Sequence, residues 1–208
     1  MRLFRLSLIL SGAALLLGAG SAQAIQFNFT SDHCSGTGGC GTPPFGTVTL
    51  TQNGANVDVT AHLFSPNLWV KTGSAEFQAF KFNATGVVLA DITVDQTVPS
   101  QTLAAQTGAF NGNGTGTFAF GIQCTTCAGG ASNAFSNDIT FHVASATIAD
   151  LTHPNAKGNL FVADILSSAA AGGTGNTGPV DVSQIPEPAT AALLGLGLVG
   201  LAAAGRRR

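Results

Sequence analysis

The chain has no tyrosine, one tryptophan and one methionine in 208 residues, and only 9% of its residues are charged. Arginine is missing from residues 6–205: Arg2 and Arg5 lie at one extremity, Arg206, Arg207 and Arg208 at the other. Residues 25–205 therefore set three lysines (Lys71, Lys81, Lys157) against all ten acids, a net charge of −7. A surface with no basic patch cannot track a phosphate backbone or adhere electrostatically to anionic lipid, so nucleic-acid binding and that kind of adhesion are set aside. The sequence also lacks a Gly-x-Ser-x-Gly elbow, a His-Glu-x-x-His helix, a Walker loop and a dinucleotide fingerprint, which removes the enzyme classes built on them. Convincing helical periodicity is missing from residues 25–168, where short alternating stretches and glycine-rich spacers take its place.

The two ends are apolar. Arg2 and Arg5 precede an apolar run over residues 6–18, and Ala22-Gln23-Ala24 supplies a small-x-small exit. This is the pattern of a secretory signal peptide, with cleavage expected after Ala24 by signal peptidase once the general secretion machinery has engaged the chain. At the other end, residues 189–205 carry no charge, and a helix of that length spans roughly 25 Å, slightly short of a hydrocarbon core of about 30 Å. Arginine side chains reaching back to the headgroups cover such a mismatch. The arginines after the run put the C-terminus in the cytoplasm and the rest outside, an N-out, C-in topology. Pro186 and Pro188 keep the segment before the run extended at the outer interface, where an enzyme can grip it.

Pro186-Glu187-Pro188-Ala189-Thr190, then Leu193-Leu194-Gly195-Leu196-Gly197-Leu198, then Arg206-Arg207-Arg208, resembles the PEP-CTERM sorting signal of Gram-negative bacteria. The resemblance covers about a tenth of the chain. It implies that the protein is the substrate of an exosortase, a membrane-embedded cysteine transpeptidase, and is passed to the cell surface or an exopolysaccharide matrix. It implies no activity for the rest of the chain.

Between the ends, the patterning predicts an all-β domain over residues 25–168, an antiparallel β-sandwich of jelly-roll kind with a one-sided barrel as the alternative. Ile25, Phe27 and Phe29 alternate with Gln26, Asn28 and Thr30. Residues 47–52 and 55–63 read as a hairpin about Asn53-Gly54, the preferred pair of a type I′ turn. Pairing Gln52 with Ala55 sets Leu50 opposite Val57 and Val48 opposite Val59. Further strands are expected at 76–83, 87–94, 115–124, 139–143, 146–150 and 160–165, with Phe77 out of phase with Phe80 and Phe82. Residues 169–184, rich in glycine and alanine, read as a flexible tether to the sorting signal at 185–208.

An even cysteine count in an exported chain predicts disulfides among Cys34, Cys40, Cys124 and Cys127. Three pairings are formally open, and local pairing is favoured because Gly36, Gly38, Gly39 and Gly41 let the first loop bend round. A four-thiolate zinc site and a redox Cys-Thr-Thr-Cys are the alternatives, but neither has its usual context, so no metal and no cofactor is expected. His33 reads as a loop residue.

Together with the missing catalytic motifs, the resemblance implies a non-catalytic surface or matrix protein associated with exopolysaccharide or the envelope. Trp69, after Ser65-Pro66-Asn67-Leu68, reads as a loop residue able to stack on a sugar ring, which gives the alternative of a carbohydrate-binding module. A glycan hydrolase is a remote third reading that would need two convergent carboxylates among Asp58, Glu76, Asp91, Asp95 and Asp138.

Overall fold

The structure, a computed structural model, describes residues 23–71, 77–95, 101–167 and 175–183. Within them the chain is all-β, and its strand ladders run antiparallel. A five-stranded sheet has the order β1 (Ala24–Asn28), β3 (Gly46–Asn53), β4 (Asn56–Leu63), β11 (Ile139–Val143), β7 (Ile92–Val94). An eight-stranded sheet runs β10 (Gly130–Phe135), β5 (Leu68–Lys71), β12 (Asn159–Leu166), β6 (Gln78–Phe82), β9 (Thr117–Cys124), β8 (Leu103–Asn111). Off that path β13 (Thr177–Ser183) pairs with β12, and β2 (Ser31–Asp32) pairs with β13. Among the described residues one α-helix of four residues, α1 (Ile148–Leu151), lies between β11 and β12.

The two sheets share one apolar core, with alternate residues of each strand turned inward. From the smaller sheet come Val48, Leu50, Val57, Val59, Ala61, Ile139, Phe141 and Val143, all at most 1% exposed. The larger sheet contributes Phe80, Phe82, Ile122, Phe161 and Ile165. Phe80 stands at the centre: its ring lies 5.9 Å from Phe161, nearly parallel, 6.0 Å from Phe141 across the sheets, and 6.4 Å edge-on from Trp69. Each such aromatic contact adds about 0.5–1.5 kcal/mol beyond the area it buries. Strands β6 and β12 are buried on both faces, so their outward-turned residues are sequestered too.

The hairpin forms where expected, in a register two residues away from the expected one. Asn53 pairs with Asn56, so Leu50 faces Val59 and Val48 faces Ala61. The central pair is Gly54-Ala55, with Gly54 at φ +60°. Asn53 keeps a strand conformation, whereas a type I′ turn centred on Asn-Gly needs positive φ at both residues. A shift of two preserves every side chain's face, so the apolar set still points inward.

Three other expectations are corrected. Residues 146–150 do not extend as a strand, because Thr147 caps α1: its Oγ1 accepts from Asp150 N, and the Asp150 carboxylate accepts from Thr147 N at 2.8 Å. That reciprocal capping box offers the backbone a helical turn in place of a ladder. Residues 87–91 also leave the strand. Gly86 at φ +73° breaks it, Asp91 Oδ2 accepts from Val88 N, and a 3-10 turn at Leu89–Asp91 precedes the short β7. The third correction concerns the tether. Thr177–Ser183 is β13, in register with β12 over most of its length and burying Val180 and Val182, so the folded sheet continues past residue 168.

Candidate functional site

The residue expected to meet a ligand does not. Trp69 lies on β5, opposite Ile165 of β12, and is wholly buried between Phe80 and Phe135. Its apolar body completes the core, so stacking of Trp69 on a sugar is overturned. The preceding Ser65-Pro66-Asn67 loop ends one residue sooner than the pattern suggests, because Leu68-Trp69-Val70 is a β-compatible run bridging β10 and β12.

The cysteines pair locally, Cys34 with Cys40 and Cys124 with Cys127, with Cα atoms 5.2 and 5.4 Å apart. Asp32, Cys34 and Cys40 come close enough to suggest a metal site. The sulfurs are bonded to each other, however, and the two Asp32 oxygens accept from Cys34 N (2.9 Å) and Cys40 N (2.7 Å). This carboxylate orders the disulfide loop. His33 is more than a loop residue, since its Nε2 donates at 2.7 Å to Asp181 Oδ2, on a β13 side chain only 1% exposed.

Each candidate acid among the described residues accepts a hydrogen bond within the fold, and Asp58 and Asp95 both lie beside His142. Asp58 accepts from Asn53 Nδ2, Asp91 from Val88 N, Asp95 from His142 Nδ1, and Asp138 from His62 Nδ1. Glu76 lies outside the described residues, as do Ala22, Pro186, Glu187, Pro188, Arg206, Arg207, Arg208 and the apolar run at 189–205. Among the described residues no helix is long and apolar enough to cross a membrane. Ala24, the last residue before the expected cleavage, opens β1 opposite Thr51.

What the fold does bring together is the outer face of the five-stranded sheet. Gln26, Thr49, Thr60 and Thr140 form one cross-strand row, and Thr51, Asp58, His142 and Thr93 the next. Two imidazole–carboxylate pairs stand on this face: His62 Nδ1 donates to Asp138 Oδ1 at 2.6 Å, and His142 Nδ1 to Asp95 Oδ1 at 2.8 Å. Beyond His62, just past the end of β4, Phe64 is 37% exposed and its ring meets the imidazole edge-on at 5.6 Å. Hydroxyls, imidazoles and carboxylates beside one exposed aromatic ring can hydrogen-bond and stack on hydrated, hydroxyl-rich polymers. The Thr47-Thr49-Thr51 periodicity gives part of this face in the sequence. The His–Asp pairs come from residues 47 and 76 positions apart, which no local pattern reveals.

The PEP-CTERM protein-sorting motif matches residues 184–208, beginning directly after the last residue of β13. No characterised protein and no solved structure matches the chain. The motif supports an exported protein targeted to an exosortase, and the match gives no activity for residues 25–183.

Proposed function

We propose that the protein is a non-catalytic component of the cell surface or extracellular matrix, carried out as the cargo of an exosortase and retained with exopolysaccharide or the envelope. The observation that carries this reading is the sorting motif at 184–208, which directly follows the last described strand of an all-β domain. Signal peptidase removes residues 1–24, and the apolar run at 189–205 holds the chain N-out, C-in until the transpeptidase cuts near Pro186-Glu187-Pro188. Two disulfides suit the oxidising space outside the cytoplasm. Retention in a glycan matrix is supported by the polar face around His62, Asp138 and Phe64, which replaces Trp69 as the candidate contact. Its rows of threonine hydroxyls and its hydrogen-bonded His–Asp pairs favour many weak, hydrated contacts with a polymer over one deep pocket.

The test is the intact mass of the protein recovered from membrane, surface and medium of its native host, with and without reduction. A surface form lacking residues 1–24 and the segment after Pro188, and gaining about 4 Da on reduction of its two S–S bonds, supports the reading. A full-length C-terminus found only in the membrane would leave the tail as a plain anchor and refute sorting.

A further inference from the structure

The described chain starts and finishes at one end of the folded domain. β13 finishes at Ser183 opposite Asn159, the first residue of β12. That end of the larger sheet also holds Phe82, the last residue of β6, opposite Phe161. The end of the smaller sheet beside it carries the Gly54-Ala55 turn, with the start of β1 alongside it, Ile25 facing Leu50. Helix α1 bridges the two sheets there. Ile148 N donates to Gln52 Oε1, and the Asp150 carbonyl accepts from Thr85 N just past β6. The segment from Thr85 to Asp91 then crosses from β6 to β7 over this same end.

The crossing carries an anomaly. Among the described residues three large hydrophobic side chains are exposed, and two of them, Val88 (60%) and Leu89 (40%), stand on it. Nearby, Lys157 reaches Gly114 O at 2.7 Å, placing one of the domain's three lysines on the turns at this end. The reach of the chain limits what can lie beneath. Six residue steps separate Ser183 from Ala189, where the apolar run begins, and fully extended they span about 20 Å. The headgroup layer takes about 5–7 Å of that. The domain is therefore held within roughly 13 Å of the bilayer surface even at full stretch.

We infer that the α1-capped end is a membrane-facing surface, with Val88 and Leu89 entering the headgroup region of a phospholipid bilayer while the chain remains anchored. The inference rests on the anchoring part of the proposed function. The tether supplies the proximity, which an acidic domain would not gain by charge, and the two apolar side chains supply the contact. The opposite end, which carries Phe64, points away from the lipid.

The full chain, exported by a host lacking an exosortase so that the signal peptide alone is removed, would be reconstituted into phosphatidylethanolamine–phosphatidylglycerol vesicles with and without brominated acyl chains. Trp69→Phe removes the native fluorophore, and Val88→Trp or Phe64→Trp adds one at either end. The emission of the Val88→Trp protein should fall about twofold with brominated lipid, as for a side chain in the interface, while that of Phe64→Trp stays unchanged. Equal response at both ends, or none at Val88→Trp in protein that floats with the vesicles, overturns the inference and leaves sorting intact. Protein that fails to float overturns the anchoring reading and this inference with it.

Discussion

Lys81 Nζ lies 2.8 Å from Asp164 Oδ2 on the face of the larger sheet turned away from the aromatic core, with the two side chains only 1% and 5% exposed. The lysine also donates to Gln78 O at 3.1 Å. The pair joins β6 to β12, the two strands buried on both faces. Removing one partner of a buried ion pair costs about 3–5 kcal/mol, whereas replacing both by apolar groups is often close to neutral. Lys81→Met alone should therefore destabilise strongly, and Lys81→Met with Asp164→Leu should cost clearly less than the sum of the single changes. A double-mutant cycle by chemical denaturation measures the difference, and simple additivity would show that the two groups are not coupled.

Trp69 is a core residue, and its substitutions should behave accordingly. Trp69→Ala opens a large cavity beside Phe80 and Phe135 and should cost about 3–5 kcal/mol. Trp69→Phe keeps much of the ring packing and removes an indole N–H that is buried without a partner. It should be far milder. Thermal melts of the two variants decide this; equal, small losses would contradict the burial.

The contrast between Trp69 and the hairpin shows what the sequence makes legible. Alternation over residues 47–63 assigns inside and outside correctly even with the register displaced, because a shift of two conserves the face. Polar flanks around Trp69 say nothing of which strand it joins, since β5 is held by β10 and β12, 59 to 98 residues further on. Glycine-rich composition likewise masks β13, whose Val180 and Val182 form a strand only because β12 offers a partner. The capping box at Thr147 and Asp150 was readable as Thr-x-x-Asp, but the apolar spacing beside it also suited a strand. Sorting is legible because its signal is linear, whereas the polar face is assembled from β1, β3, β4, β7 and β11.

The capping box also sets a pH dependence. The hydrogen bonds from Thr147, first its side chain and then its backbone, hold the Asp150 carboxyl below its ordinary value of 3.8. A lowered folded value means that the unfolded chain takes up the proton first as pH falls. The contribution is thus complete above 3.8 and is lost progressively as the pH drops through the lowered folded value. Thr147→Ala, which deletes the 2.7 Å hydroxyl bond, should move the Asp150 titration upward and narrow that loss, and Thr147→Ser should restore it. Carboxyl chemical shifts followed by NMR between neutral pH and pH 2 report both; an unmoved titration would show that the hydroxyl plays no part.

Phe64 is where glycan retention can be separated from folding. Its ring is 37% exposed and leans on His62, which is tied to Asp138, while its backbone N–H donates to Phe45 O at 2.9 Å irrespective of the side chain. Phe64→Ala should therefore cost only about 1 kcal/mol of stability, well below the loss for a buried aromatic. If the face holds exopolysaccharide, that variant should lose severalfold in retention on the host's matrix, since aromatic stacking is the main apolar contact a sugar can find there. His62→Gln keeps hydrogen-bonding capacity and should weaken retention less. Co-sedimentation with purified matrix polysaccharide measures both variants against the unaltered protein. Retention that survives Phe64→Ala in a folded protein would remove the aromatic edge from the contact and turn attention to the threonine rows of β3, β4 and β11.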